Sequence, residues 1–207
     1  MKTIVFAYRM TADSGLAPCI GNDTNDKKIL TLACCKGGRR DGTNTGIRYW
    51  IGKGKLRDID LDCKNNNIYI LGTYKNDFLY LAKINETMTM QEYYSCKAFS
   101  QRTDKIYDVV DGKLKRNNKL RKQNIHIDKE QQTRDIAGKY VLLSRNFIYL
   151  GKDRKPLDRF KHKLPVRQEI KMYFDKEAQE IVNWCKQQND GKSHIPTDPL
   201  KRSCNQK

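Results

Sequence analysis

One stretch of the sequence combines residue types that could bind an anion, hold a metal or supply a nucleophile. It reads TLACCKGGRR over residues 31–40, so two cysteines precede a lysine, two glycines and two arginines. Glycines let a ligand approach backbone N–H groups, arginine binds phosphate through two N–H groups at once, and lysine adds a point charge. The stretch therefore indicates an anion site formed by Lys36, Arg39 and Arg40, although it matches neither the Walker A motif nor the dinucleotide fingerprint.

The adjacent cysteines Cys34 and Cys35 fit a metal site poorly. A zinc site needs about four ligands, whereas neighbouring residues of a strand point to opposite faces. No other cysteine pair is closely spaced, and the three histidines stand apart in the sequence. We expect no metal, no disulfide between these two thiols and no cofactor. Two packed strand residues are the main interpretation, and a nucleophile in the field of the basic residues is the alternative.

Two further segments could complete the anion site. DSGLAP at residues 13–18 offers an acid, a hydroxyl and a glycine in Asp13, Ser14 and Gly15, although an ordinary turn explains it as well. YWIGKGK at residues 49–55 places Trp50 near Lys53, so that an aromatic face could stack on a base while the lysine holds its phosphate. A tryptophan buried in the core is the alternative.

The elements that must position these residues are mainly strands. Apolar and β-branched runs predict strands at 3–8, 29–35 and 47–55, a hairpin at 67–84 and two short strands within 139–151. Helices are predicted at 87–95, with Thr89 and Glu92 as a capping box, and at 175–191, capped by Asp175. Ala178, Ile181, Val182 and Cys185 would form the apolar face of the second helix. The order predicts an α+β fold: a small curved mixed sheet, or a small β-barrel, with flanking helices.

Charge and the remaining segments indicate the partner. The chain of 207 residues carries 41 lysines and arginines against 24 acids, a net charge of +17. This excess favours a nucleotide or nucleic-acid partner, with a solvated charged surface as the alternative. The steepest run is KLKRNNKLRK at 113–122, inside a polar loop predicted at about 100–135. We expect a single domain over 1–207 with long loops at 9–28 and 100–135 and a loose tail from about 192.

The absence of long apolar stretches bears on location. No run approaches the roughly 20 apolar residues that span a bilayer, and the first strand is too short for a secretory signal. We therefore expect no membrane partner and a cytoplasmic protein of a bacterium or an infected host. The oligomeric state is left open, with a homo-oligomer as one option.

Three of these segments together resemble the nucleotide modification associated domain 2 family of bacteria and their phages. The family pattern is Asp-x-Gly-x-Ala-Pro, then Thr-Leu-Ala-x-Cys-Lys, then Gly-Asp-Trp-Ile-x-Gly. DSGLAPC, TLACCKGG and GIRYWIG match it in order, with two residues inserted before Trp50 and the acid lost. The resemblance continues through RTDKIYD, which implies Asp104 and Tyr107 as site residues, and through YVLLSRNFIYLG. The tryptophan strand also resembles PUA-like, ASCH and EVE barrels, which bind RNA, modified bases or nucleotides.

The resemblance and the basic residues lead to one leading hypothesis, the binding of a nucleotide or modified base, free or in nucleic acid. Lys36, Arg39, Arg40 and Lys53 would hold phosphate, Trp50 would stack on the base, and Asp13, Asp104 and Tyr107 would read its edge. Sequestration of a signalling nucleotide would use the same pocket. The alternative is an enzyme, a transferase or hydrolase of modified nucleotides, for which Asp13, Asp104 and His126 are the candidate bases.

Overall fold

The computed structural model describes residues 1–39, 41–117, 128–160, 163–165 and 169–191. The described strands are β1 Thr3–Met10, β2 Cys19–Asn22, β3 Lys28–Leu32, β4 Lys55–Leu56, β5 Ile59–Asp60, β6 Asn67–Tyr74, β7 Asp77–Lys83, β8 Glu86–Thr89, β9 Tyr107–Val110, β10 Lys113–Arg116, β11 Tyr140–Ser144, β12 Asn146–Tyr149, β13 Lys155–Pro156 and β14 Ile170–Phe174. The helices are α1 Ile47–Gly52, α2 Met90–Ser95, α3 Lys129–Ile136 and α4 Asp175–Gln187. This mixture confirms the predicted α+β class.

The contacts divide the chain into two compact units. The first unit contains residues 1–14, 54–86 and the described residues from 144 to 191, and the second contains 15–53 and the described residues of 87–143. Each unit is therefore assembled from segments that are distant in sequence. This division does not test the prediction of a single domain over 1–207, which stays a prediction.

The first unit is built on a mixed sheet. The strand order is β12-β7-β6-β1-β14, and β13 also pairs with β7. β1 runs parallel to β6 and antiparallel to β14. Its run TIVFAYRM is buried along almost its whole length, as expected for a strand covered on both faces. The predicted hairpin is confirmed by the antiparallel pairing of β6 with β7.

Helix α4 covers part of this unit's core. Its four predicted face residues are all buried, and they pack with Val5, Leu71 and Phe78. The prediction that Asp175 caps the helix is wrong, because the N-cap position is Phe174 and no side chain makes a capping bond. Asp175 is itself the first helical residue, with a positive φ of 47°.

The second unit is built on a four-stranded sheet of order β2-β3-β11-β8 and on the two-stranded pair of β9 with β10. Its apolar cluster includes Ile29, Cys34, Met90 and Val141. The capping box of α2 is confirmed. The Thr89 hydroxyl accepts the Glu92 N–H at 3.2 Å, and the Glu92 carboxylate accepts the Thr89 N–H at 2.7 Å.

Three predictions of local structure are corrected in the second unit. Residues 47–52 form α1 and not a strand, because Ile47 and Ile51 share a buried helical face. The strand predicted at 29–35 ends at Leu32, so Cys34 and Cys35 lie beyond it. The predicted loops are also partly ordered, since β2 lies within 9–28, and β9, β10 and α3 lie within 100–135.

The described residues do not form a closed barrel. The five-strand path in the first unit and the four-strand path in the second both have two ends. The mixed-sheet prediction is therefore confirmed, and the PUA-like barrel is not. Among the residues that the structure describes, no helix is long and apolar enough to cross a membrane.

Candidate functional site

A fully buried arginine organises the second unit. Arg48 lies in the first turn of α1 and has no exposed surface. Its Nε donates to the Cys35 carbonyl at 2.7 Å, its Nη1 to the Tyr140 carbonyl at 2.6 Å, and its Nη2 to the Asp135 carbonyl. One side chain thus joins the loop after β3, the end of α3 and the start of β11, which are up to about a hundred residues apart in sequence.

A buried carboxylate holds the same loop from its other side. Asp135 is 1% exposed, and its Oδ1 accepts the Cys35 N–H at 2.6 Å. Its Oδ2 accepts the hydroxyl of Tyr107 at 3.0 Å. Burial, and then the Asp135 charge, raise the pKa of Tyr107 well above its ordinary value. Tyr107 is therefore a neutral hydrogen-bond donor inside the unit.

The loop held by these contacts has an unusual backbone. Cys35 and Lys36 both have left-handed conformations, with φ of 56° and 49°. Such angles cost a residue with a side chain about 1 kcal/mol or more and persist only where surrounding contacts fix them. Strained backbone clusters at functional sites, so this pair of residues marks the loop as a candidate.

The left-handed turn changes the arrangement that was predicted for the two thiols. Because the two residues lie beyond the strand, the alternation of strand side chains does not apply to them, and the Cys34 thiol donates to the Leu16 carbonyl at 3.8 Å. Interaction with the Cys35 side chain, together with burial, holds the pKa of the Cys34 thiol well above its ordinary value. Both residues are free cysteines. A thiol that resists ionisation is a poor nucleophile, so the packing interpretation of Cys34 is favoured.

Gly37 of this stretch, with Gly46 and Gly138 of other segments, permits close packing inside the unit. A Cβ atom on Gly37 would lie 2.7 Å from both Arg48 Nη2 and the backbone nitrogen of Gly138. A Cβ atom on Gly138 would lie 2.5 Å from Arg48 Cζ. Gly46 is equally close to the backbone of Lys36 and Gly37. Gly37 and Gly138 therefore allow close approach to the buried guanidinium, and Gly46 allows close approach to the backbone of residues 36 and 37.

A basic pocket opens next to this loop. Its volume is about 410 Å³, and it is lined by Gly38, Arg39, Asp41 and Arg134. The Asp41 carboxylate accepts the Thr43 N–H at 2.8 Å, and its hydrogen bonds with Thr43 lower the pKa of Asp41. The pocket therefore presents two arginines and one ionised carboxylate.

Lys36 precedes the lining residues Gly38 and Arg39 in the same loop and is partly buried. Burial lowers the pKa of the Lys36 ammonium, Cys35 opposes that shift, and the charge of Arg134 adds to it. A lysine whose charged form is disfavoured by its surroundings gains from a bound anion. Lys36, Arg39 and Arg134 are therefore the candidate cations of this part of the unit.

The residues around Trp50 form a second feature of the same unit. Tyr49, Trp50 and Tyr140 are partly exposed, and Lys53 and Lys139 are exposed. The Tyr49 ring lies 6.3 Å from the ring of Tyr140, and it has the ammonium groups of Lys53 and Lys139 at 5.9 and 5.8 Å. We call these five residues the aromatic patch. The sequence indicated only Trp50 and Lys53, although the Tyr-Trp pair in YWIGKGK was a visible signal for Tyr49.

Asp104 lies inside the second unit with its carboxylate fully engaged. It has no exposed surface, and it accepts hydroxyls from Tyr93, at 2.7 Å, and from Thr31. The Nε of Arg102 lies 3.6 Å from the same carboxylate. Asp104 and Tyr107 therefore have partners within the protein, and their predicted role in reading a base edge stays a prediction.

Asp13 is a buried carboxylate of the first unit, as Asp104 is of the second. It is fully buried and accepts the Tyr149 hydroxyl at 2.8 and 2.9 Å to its two oxygens. Burial and Asp13 raise the pKa of Tyr149. Nearby in this unit, the hydroxyls of Tyr8 and Tyr80 are hydrogen-bonded at 2.7 Å.

The structure thus places the predicted site residues in both units. Asp13 and Ser14 belong to the first, while Gly15, Lys36, Arg39, Trp50, Lys53, Asp104 and Tyr107 belong to the second. Whether they contribute to one ligand site stays a prediction. Arg40 and His126 lie outside the described residues, as do the other two histidines, His162 and His194. Within the described part of the chain, no group of three or more His, Cys, Asp or Glu residues could hold a metal ion.

The basic segment predicted at 113–122 is also partly revised. Lys113 and Lys115 are exposed on β10, whereas Arg116 is 8% exposed and donates to the Ile106 carbonyl at 2.6 Å. Arg116 is therefore a structural residue and not part of a basic loop. Residues 118–127 lie outside the described residues.

Comparison with known families supplies the relationship. The family model of nucleotide modification associated domain 2 matches residues 2–205. The chain belongs to this family. No curated protein and no solved structure gives a significant match. The matched range includes residues of both units, and the family associates the chain with nucleotide modification.

Proposed function

We propose that this chain binds a nucleotide or nucleic acid through the phosphate, at the basic pocket lined by Gly38, Arg39, Asp41 and Arg134, with Lys36 on the same loop as Arg39. The single observation that carries the proposal is that Arg39 of the rigidly held loop and Arg134 of α3 line one pocket, while the partly buried Lys36 lies on the same strained loop as Arg39. Neighbouring cations gain from a bound anion, and phosphate accepts the two parallel bonds that an arginine offers.

The buried contacts of Arg48 and Asp135 support tight binding at the pocket. Arg48 and Asp135 fix the Cys35 backbone from both sides, so the loop that carries Lys36 and Arg39 does not need to be ordered when a ligand binds. Preorganised binding groups lose less entropy and give higher affinity. The family supports a ligand of the nucleotide class, and the net charge of +17 supports a polyanion.

Binding without turnover is the form of the proposal that these residues support. Two of the three candidate bases, Asp13 and Asp104, are fully buried and already accept tyrosine hydroxyls, and the third, His126, lies outside the described residues. A general base must reach the proton that it abstracts. The sequestration of a signalling nucleotide remains within this proposal, since it needs binding and no chemistry.

The test is an affinity measurement with a matched charge control. Fluorescence anisotropy of a labelled oligonucleotide is recorded for the wild type, for Arg39→Gln with Arg134→Gln, and for Arg57→Gln with Arg159→Gln. The second pair lies in the first unit and loses the same charge. Each lost phosphate contact costs about 1.5–3 kcal/mol, so the pocket variant should bind at least about tenfold more weakly, with a shallower salt dependence.

Equal losses in the two double variants would refute the pocket and leave only a general effect of charge. Mass spectrometry of nucleotides incubated with the protein and then extracted tests turnover separately. Intact ligand is expected, and a chemically altered ligand would overturn the binding proposal in favour of an enzyme.

A further inference from the structure

The three aromatic rings of the aromatic patch are partly exposed to solvent. The contrast is clearest between the two tryptophans. Trp184 packs edge-on against Phe78 and Phe160 in the first unit, with ring centroids 5.8 Å apart in each case. Both tryptophans are partly exposed, but Trp50 belongs to neither described apolar cluster. Exposed aromatic surface gathered in one place commonly marks an interaction site.

The patch is held rigidly from below by the contacts already described. Arg48 precedes Tyr49 in α1 and donates to the Tyr140 carbonyl at 2.6 Å. Gly52 packs directly against the Tyr140 ring, so a Cβ atom there would overlap the ring carbons. The rings of Tyr49 and Tyr140 are thus fixed relative to each other before any ligand binds, which lowers the entropic cost of binding.

The two lysines of the patch come from different segments and meet at the same ring. Their ammonium groups lie 5.9 and 5.8 Å from the centre of the Tyr49 ring, within the range of a cation–π contact. This contact keeps two flexible cations next to the Tyr49 ring, which lies 6.3 Å from the Tyr140 ring and directly precedes Trp50 in the sequence. Aromatic rings that stack on bases, interleaved with cations that follow the phosphates, are the recurring composition of single-strand binding surfaces.

We infer that the aromatic patch stacks on unpaired bases, and that the preferred ligand is a single strand of nucleic acid. The inference rests on the proposed phosphate pocket and deepens it by naming the substrate class. A duplex hides its base faces within the stack, so it could use the lysines but not the rings. A mononucleotide has one base and one phosphate group, whereas a strand offers successive bases and phosphates to both surfaces.

The test compares three probes on one protein. The probes are a labelled oligothymidylate of about twelve nucleotides, which matches the usual single-strand site size, a blunt duplex of the same length, and thymidine monophosphate as a competitor. The single strand should bind at least about tenfold more tightly than the duplex, and the mononucleotide should compete weakly. Equal affinity for strand and duplex would overturn the inference.

Variants of the patch supply the second arm. Trp50→Leu and Tyr49→Leu should each weaken single-strand binding by about 5- to 100-fold, the range expected for one stacked base, and should leave duplex binding unchanged. Phe174→Leu is the matched control, because Phe174 is 39% exposed in the first unit. Binding should also quench tryptophan emission in the wild type, and this quenching should disappear in Trp50→Leu.

The outcomes separate this inference from the proposed function. If Arg39→Gln with Arg134→Gln weakens binding while Trp50→Leu and Tyr49→Leu do not, the phosphate pocket stands and the stacking surface is refuted. If the two patch variants weaken binding and the pocket variant does not, the stacking surface stands without the pocket. If none of the three probes binds, both are refuted.

Discussion

The interiors of the two units differ in how they use charge. Among the described residues, the first unit buries one charged side chain, Asp13, whereas the second buries Asp23, Arg48, Arg102, Asp104, Arg116 and Asp135. Buried charges rarely add net stability, because desolvation offsets what their partners return. The second unit therefore contains polar groups that an apolar core of the same size would not need. The contacts of two of them, Arg48 and Asp135, end on the loop that carries Lys36 and on the start of β11, which supports placing the ligand surface on this unit.

The largest effect on stability is expected from the replacement of Arg48, which tests this comparison directly. Arg48→Met removes the donor from three buried carbonyl groups, and each unsatisfied group costs about 1–3 kcal/mol. We expect the free energy of unfolding in urea to fall by about 4 kcal/mol or more. Arg154→Met in the first unit is the comparison, since its ion pair with Asp77 at 2.9 Å is partly exposed and should contribute less than about 1 kcal/mol. Similar losses in the two variants would remove the distinction between the units.

A smaller effect is expected from a single added methyl group. Gly37→Ala places a carbon 2.7 Å from Arg48 Nη2, against backbone that cannot move freely. Overpacking of this kind costs about 1–3 kcal/mol. Gly112→Ala is the control, because it meets no atom within 4 Å and tests only the left-handed backbone at φ of 67°. If Gly37→Ala costs no more than its control, the close approach to Arg48 does not constrain the loop.

The smallest effect is a dependence on alkaline pH. Burial, followed by the charge of Asp104, raises the pKa of the Cys19 thiol from 9.0 to about 12. The stability that the neutral thiol contributes is complete below pH 9 and is lost as the pH rises towards 12, since the unfolded thiol ionises first. The advantage of the wild type over Cys19→Ala should shrink by up to about 1.4 kcal/mol for each pH unit above 9. Urea unfolding at pH 8 and pH 10 measures it, and an advantage that stays constant would show that the thiol is not protected from solvent.

The sequence indicated the local elements of the first unit well. β1, the β6–β7 hairpin and the buried face of α4 follow from runs of apolar residues with the period of a strand or a helix. The capping box of α2 was equally readable, because Thr89 and Glu92 are three residues apart and need no distant partner. The interactions that form these elements involve residues that are close together in the sequence.

The candidate site was only partly predictable. Lys36, Arg39, Trp50 and Lys53 were indicated by residue type, and the structure places all four in the second unit. Arg134, Lys139, Tyr140 and the central role of Arg48 were missed. Nothing next to Arg48 in the sequence shows that its three acceptors are the carbonyls of residues 35, 135 and 140.

By itself, the sequence determined the α+β class, the family and the excess of positive charge, because each is a property of composition or of short ordered motifs. The tertiary structure decided which charges are buried and which are exposed. Gly37 and Asp104 look like ligand-binding residues in the sequence, yet one packs on Arg48 and the other accepts two hydroxyls inside the unit. The physical reason is that burial and hydrogen-bond partners depend on segments up to about a hundred residues away, and no local pattern records which of them will meet.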